Sequence, residues 1–428
     1  MPATPEADRD MQNAVHGSPP VPGLLIDCWR DFRGLAWHWH LLALSILVAA
    51  LAGSAMPILF SAAPTIDEAT YESAFAAVAA GRSPYGTPGY FYPPAFAFAG
   101  ARAGEALGVS GARLLLRGLN VVGAALTCWL AAAWWWSPSS SVRARVTERL
   151  LVALVLMLVS PCVGAGLASG NFSLVVSSWI NLALHAAHAW PVVSGVLLGA
   201  SLITKPLAAI VLPIFAGAAT ARRDGRKVAP ATVLVAAAIC FAGLLLLPYF
   251  RQLLEVRLHS GTFGGTISLL RVAWLLGVDL HQGLLLILIA PFAFVAGRRW
   301  AADRVALIAL ALAMVMFTSP ATWPYTATVF FPVPVMAVSV VRARLALRGG
   351  ASQGARSPLL DQALVGALAV SVLFLNGGAF DRLPAGVQLT LLLAQVAAPV
   401  WLAGYVLRSA GSWESGAVRE SVPDRLSP

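Results

Sequence analysis

Charge is what this 428-residue chain has least of: 11% of its residues are Asp, Glu, Lys or Arg, and Lys205 and Lys227 are the only lysines. With 58% hydrophobic residues and a mean hydropathy of +0.76, a soluble domain of this size could not hide the apolar surface. Short alternating strands are missing, which excludes a membrane β-barrel. Cysteine is scarce. Cys28, Cys128, Cys162 and Cys240 form no C-x-x-C pair, and three lie inside apolar runs, so they read as packing residues rather than disulfides or metal ligands. The chain has no Walker loop and no H-E-x-x-H. His185 and His188 stand one helical turn apart with no third ligand nearby, so neither a metal nor a cofactor is expected. The net charge of +10 comes from short loops and not from a basic, aromatic-interleaved soluble face, so nucleic acid is not an expected partner.

What is present is a series of apolar runs near the length of a bilayer crossing, which predicts an all-α polytopic membrane protein. Basic clusters mark the cytoplasmic side: Arg30 and Arg33; Arg143, Arg145 and Arg149; Arg222 to Lys227; Arg298, Arg299 and Arg304; Arg342 to Arg356; and Arg408 onward. Fitting spans between them gives about twelve, near 40–62, 116–136, 148–168, 173–188, 191–204, 206–221, 229–250, 281–297, 303–318, 324–341, 359–378 and 386–408. Residues 1–36 and 409–428 are then cytoplasmic tails flanking one membrane domain, 37–408. The wealth of Ala, Gly and Leu, with Arg nearly everywhere for Lys, points to a GC-rich bacterial genome and hence to a bacterial plasma membrane. Trp37-His38-Trp39-His40 and Trp134-Trp135-Trp136 read as interfacial belts.

Two outward loops are long, at about 63–115 and 251–280. In the first, Asp67, Glu68 and Glu72 crowd three carboxylates into six residues. Thr65-x-x-Glu68 is a capping box, which predicts a helix start. Tyr71, Phe75 and Val78 share one face of that helix, so it lies flat on the membrane. The second loop carries Arg251, Arg257, His259 and Arg271. Arginines on the outer side run against the topology bias, so they serve either an anionic ligand or lipid headgroups.

Asp67 leads the candidates for chemistry. Placed where the first span meets water, it can take a proton from an acceptor hydroxyl, or it can simply complement the helix N-terminus, a task Glu68 performs equally well. Lys205 lies in an apolar stretch, where an ammonium is expensive. It either snorkels to an interface or meets a phosphate, and Pro206 bends the chain beside it. Asn171, in Gly170-Asn171-Phe172-Ser173, is a ligand contact or a helix cap. Trp323, in a Ser-Pro-Ala-Thr-Trp-Pro-Tyr turn, can stack on a sugar or anchor at the interface.

Taken in order, the motifs run as follows: Asp67 and Tyr71 opening a flat helix, Gly81-Arg82-Ser83-Pro84-Tyr85, Tyr90-Phe91-Tyr92-Pro93-Pro94, a Gly-Asn turn, Lys205-Pro206, then Ser319-Pro320 and Trp323. From about 40 to 340 this order resembles the polyprenol-phosphate-mannose-dependent mannosyltransferases, glycosyltransferase family 87 of the GT-C superfamily. The resemblance implies a GT-C fold with interfacial helices in the first outer loop. It also implies inverting transfer of a sugar, most plainly mannose, from a polyprenyl-phosphate donor to an extracytoplasmic glycan or glycolipid. It places the general base on Asp67 and the donor phosphate on Lys205; by their charge, the outer arginines Arg251, Arg257 and Arg271 could complete that phosphate site. Glu68, Tyr71, Tyr85, Tyr92, Asn171, His259, Trp323 and Tyr325 are the candidate substrate contacts. Two departures stand out: Asn171 replaces a commoner Gln, and Pro324-Tyr325 follows Trp323 where His is usual. Competing readings are a secondary transporter or lipid flippase and a non-catalytic assembly partner. A transporter should have two similar halves, whereas this chain has one long acidic loop near its start and no later counterpart.

Overall fold

The computed structural model describes residues 21–187, 189–221, 225–245, 248–249, 251–252, 269–301, 303–318, 324–348, 365–366, 369 and 384–411. Among these residues the chain is helical throughout. The helices are α1 (Val21–Gly34), α2 (Trp37–Ser54), α3 (Ile66–Ala79), α4 (Pro94–Ala132), α5 (Val142–Val159), α6 (Pro161–Ser169), α7 (Ser173–Ala186), α8 (Pro191–Thr204), α9 (Val211–Ala221), α10 (Gly225–Leu244), α11 (Leu269–Leu275), α12 (Gln282–Arg299), α13 (Arg304–Thr318), α14 (Pro332–Arg348) and α15 (Ala385–Gly411).

Among the described residues three helices, α2, α4 and α15, are long and apolar enough to cross a bilayer. A fourth crossing exists if α5 and α6, bent by 54° at their junction, count as one. Pro161 makes that bend, and Ser160 Oγ caps the new helix by accepting from Cys162 N at 3.3 Å. The remaining apolar helices, α7 to α10, α13 and α14, each present an apolar stretch of 10–17 residues. At about 1.5 Å per residue these fall short of a hydrocarbon core of about 30 Å, so twelve complete crossings do not follow from helix length. The span expected at 359–378 lies almost wholly outside the described residues.

A long helix begins inside the segment expected as the first outer loop, 63–115. Helix α4 starts at Pro94 and spans 39 residues, bending at Gly108 (φ 71°, ψ 164°), so its first half lies against α3 and its second half enters the core. Within the expected N-terminal tail, residues 21–34 form a packed helix. Leu25, Cys28, Trp29 and Phe32 recur at helical spacing and are all buried against the bundle, with Arg149 Nη2 donating to the Cys28 carbonyl at 2.9 Å.

Helix α7 is the axis of the bundle, packed between α4 and α8 and against a 3₁₀ segment, Pro324–Phe330. Its first residues lie at the candidate site described below. Its last turn carries His185, whose Nε2 accepts from Trp134 Nε1 at 2.8 Å. Trp134 is therefore a core residue and not part of an interfacial belt, because its indole N–H finds a buried partner. The basic groups Arg145, Arg149 and Arg342 gather at this same end, on Asp31, Cys28 and Glu148 respectively. At about 1.5 Å per residue, α7 separates this arginine-bearing end from the other by about 18 Å.

Candidate active site

The site begins with a latch. Thr65 caps α3, and Glu68 Oε2 accepts from the Thr65 amide at 2.8 Å, completing the capping box that the spacing predicts. Glu68 is also held by Arg117 through two bonds, from Nε at 2.8 Å and from Nη2 at 2.7 Å. The rest of that guanidinium donates to the carbonyls of Leu59, Ser61 and Ala63. One buried arginine thus pins the incoming chain and the first turn of α3 together. Burial alone would raise the Glu68 carboxyl, but the Arg117 guanidinium and the Thr65 amide outweigh it and hold it below the ordinary carboxylate range.

The latch is also bound to the turn between α6 and α7. Thr65 Oγ1 donates to the Ser169 carbonyl at 2.7 Å. Gly170 follows in the left-handed region (φ 71°, ψ 20°), and a Cβ there would collide with Thr65 Oγ1 and Glu68. Only glycine satisfies both conditions. Gly170→Ala is expected to cost about 1–2 kcal/mol for the backbone and about 1–3 kcal/mol for the overlap. An unfolding midpoint equal to that of the wild type would show that the turn tolerates a side chain.

Past this glycine, Asn171 bridges two charges. Its Nδ2 donates to Asp67 Oδ2 at 2.9 Å and to the Tyr92 hydroxyl at 3.1 Å. Its Oδ1 accepts from Lys205 Nζ at 3.2 Å and from Ser173 N at 2.9 Å. Lys205 Nζ also donates to Ser173 Oγ. The ammonium sits over two rings, 5.3 Å from the centre of Tyr92 and 5.6 Å from that of Tyr325. Lys205 leaves α8 in an extended conformation, and Pro206 starts the 3₁₀ turn after it, so the break in the helix aims the side chain into the cluster. Five separate segments therefore place a carboxylate and an ammonium on opposite sides of one amide.

Tyrosines wall this cluster. The Tyr71 hydroxyl donates to that of Tyr92 at 2.8 Å, and Tyr85 OH donates to the Tyr92 carbonyl at 3.0 Å. Burial first, and then the Asp67 charge, push the Tyr92 phenol well above its usual range, so it stays neutral while accepting from Tyr71 and Asn171. Behind Tyr71 a cavity of about 480 Å³ runs between α3 and α4, lined by Phe75, Ala79, Gly104 and Val109 among others, with Glu68, Glu72, Glu105 and Arg113 also on its walls.

Three of the expected substrate contacts are bound within the protein itself. Glu68 is 1% exposed and engaged by Arg117 and Thr65. Tyr71 is equally buried, and its hydroxyl is taken by Tyr92 and the Phe172 amide. Asn171 is both cap and bridge, with its donors and acceptor all used inside the protein. Asp67, Lys205 and Tyr92 remain half-buried and Tyr325 closes the floor. Arg251 is exposed beside Gln252, whose side chain meets Ser83, and Arg271 is half-buried on α11. Neither bonds to Asp67 or Lys205 among the described residues. Arg257, His259 and Trp323 lie outside the described residues. Two participants had no assigned role in the sequence reading: Ser173, inside the quoted Gly-Asn-Phe-Ser motif, and Arg117. The signal for Arg117 was a lone arginine at the edge of the apolar run 116–136.

No family model, no curated protein and no solved structure matches this chain.

Proposed function

We propose that the protein is a membrane glycosyltransferase that moves a sugar, most plainly mannose, from a polyprenyl-phosphate donor to a glycan or glycolipid hydroxyl. The observation that carries this reading is the Asn171 amide holding Asp67 and Lys205 apart within one half-buried cluster. Transfer by single displacement needs a base for the incoming hydroxyl and a cation for the leaving phosphate, on opposite sides of the sugar. In this reading the acceptor oxygen attacks the anomeric carbon while Asp67 takes its proton. The bond from that carbon to the phosphate oxygen breaks, and Lys205 stabilises the charge left on the polyprenyl phosphate. The configuration inverts because one displacement occurs. No metal is required by this scheme, since the ammonium supplies the counter-charge.

The cluster and the arginine-bearing end sit at opposite ends of α7. If the arginines face the cytoplasm, the chemistry is extracytoplasmic, where no nucleotide sugar is present and the donor must carry its own leaving group. The cavity between α3 and α4 is the seat this reading gives to the donor's apolar chain, because Tyr71 lines it and also bonds to Tyr92 in the cluster.

The deciding experiment supplies radiolabelled polyprenyl-phosphate-mannose to membranes lacking the protein and to membranes complemented with it. Label passing to glycan or glycolipid only in the complemented membranes supports the reading. Equal incorporation in both overturns it, and a parallel assay with a pentosyl donor tests the sugar. Within the same assay, Lys205→Ala is expected to weaken apparent donor affinity about tenfold or more, as loss of a charge-assisted contact to phosphate requires. An unchanged apparent affinity would remove Lys205 from the phosphate site.

A further inference from the structure

We propose that the arginine-bearing end of the bundle holds a binding site for an anionic phospholipid, independent of the Asp67–Lys205 cluster. A cavity of about 710 Å³ opens there between α1, α2, α4 and α7. Its walls are aromatic and aliphatic, with Trp29, Phe32, Trp129, Leu44, Leu126 and Leu182 among them. Such walls suit a hydrocarbon chain rather than a soluble metabolite, whose polar groups would go unpaired.

The mouth of the cavity is cationic. Arg30 and Arg33 line it, both exposed, and among the described residues no carboxylate does. Arg33 has no polar partner among the described residues. Arg30 pairs with Asp27 at 2.8 Å, but both side chains are largely in solvent, so this contact is weak and exchangeable. The other acid of α1, Asp31, is taken by Arg145 at 3.4 Å. Behind Phe32 lies a third cation, Arg149, 5.8 Å from the ring centre and 1% exposed. Its Nε and Nη1 have no hydrogen-bond partner among the described residues, so its charge is poorly neutralised and adds to the field at the cavity.

The site also sits at the right depth. Trp37 and Trp190 line it and are 72% and 65% exposed, the behaviour of indoles anchored among headgroups. Leu41, which lines the cavity, and Leu42 beside it are 52% and 51% exposed, an apolar surface that suits lipid. A phospholipid with its phosphate between Arg30 and Arg33 and one chain along Leu44 and Leu126 satisfies each of these features. Zwitterionic lipid satisfies the walls but not the mouth.

The test reconstitutes the full chain in phosphatidylcholine vesicles containing phosphatidylglycerol and counts retained lipid by native mass spectrometry after extraction. Preferential retention of phosphatidylglycerol is expected. Each arginine beside an anionic headgroup is worth about fivefold in affinity, so Arg30→Gln with Arg33→Gln should weaken the preference about twenty-five-fold. Both positions are exposed, so folding is unaffected. Leu44→Trp narrows the chain-binding part of the cavity and should lower retention with the arginines intact, and Leu126→Phe, a smaller addition, should lower it less. Equal retention of the two lipids by the wild type, or an undiminished preference in the double arginine variant, overturns the proposal. Displacement of the lipid by soluble glycerol phosphate would likewise overturn it, by showing a headgroup site without a chain site.

Discussion

Asp67→Asn is expected to lower sugar transfer about a hundred- to ten-thousand-fold, the range associated with loss of a general base. The substitution keeps the shape of the side chain and leaves an oxygen to accept from Asn171 Nδ2, now found 2.9 Å from Asp67 Oδ2. The capping of α3 is unaffected, because Glu68 performs it. The variant should therefore fold, retain donor through Lys205, and fail at the proton transfer. Purified variant would be compared with wild type for turnover of radiolabelled donor and, separately, for donor retention. Turnover within a few-fold of wild type would remove Asp67 as the base. Loss of both turnover and retention would mean that the carboxylate holds the site together instead.

The second large effect concerns stability. Arg117 and Glu68 have side chains only 4% and 1% exposed, joined at 2.7 Å. Removing the guanidinium by Arg117→Met strands a buried carboxylate and releases the carbonyls of Leu59, Ser61 and Ala63, which should cost about 3–5 kcal/mol. Removing the exposed pair partner at Arg102 should cost almost nothing. Thermal unfolding of the two variants in detergent makes the comparison, and equal midpoints would refute the assignment of the latch. The pair also predicts a pH effect. The Glu68 carboxyl is held below its ordinary value of 4.5, so its stabilising contribution is complete above that value and is lost as pH falls through the lower, folded-state value. Arg117→Met should flatten this acid-side decline. Adding Glu68→Gln to Arg117→Met should recover part of the loss, since the uncompensated charge is then gone.

The charges of the site were legible in the sequence because an apolar chain makes each of them conspicuous. Asp67 stands at the end of an apolar run and Lys205 inside one, and Thr65-x-x-Glu68 announces its own helix start. What joins them was not legible. Asn171 belongs to a turn remote from both in the chain, and an asparagine after a glycine reads equally well as a cap. Glu68 and Tyr71 looked like substrate contacts because polarity near a candidate base suggests exposure. Their burial depends on Arg117 and on the α6–α7 turn, which only tertiary packing brings near. The run Trp134-Trp135-Trp136 suggested an interface because composition carries no sign of direction, while the core position of Trp134 depends on His185 being opposite. The buried face of α1 was within reach, since Leu25, Cys28, Trp29 and Phe32 follow helical spacing. The number of crossings was not. Loop charge orients a segment but does not say whether a helix of 14 residues, such as α7 or α8, traverses the bilayer.

A carboxamide does not ionise, and this gives Asn171 a property that neither neighbour has. Were the residue smaller, the aspartate and the lysine could close into direct contact, and the lone pairs that must receive a proton would be occupied by the ammonium. As an inert spacer of fixed width, it holds the two charged groups apart, each open to a different end of whatever enters.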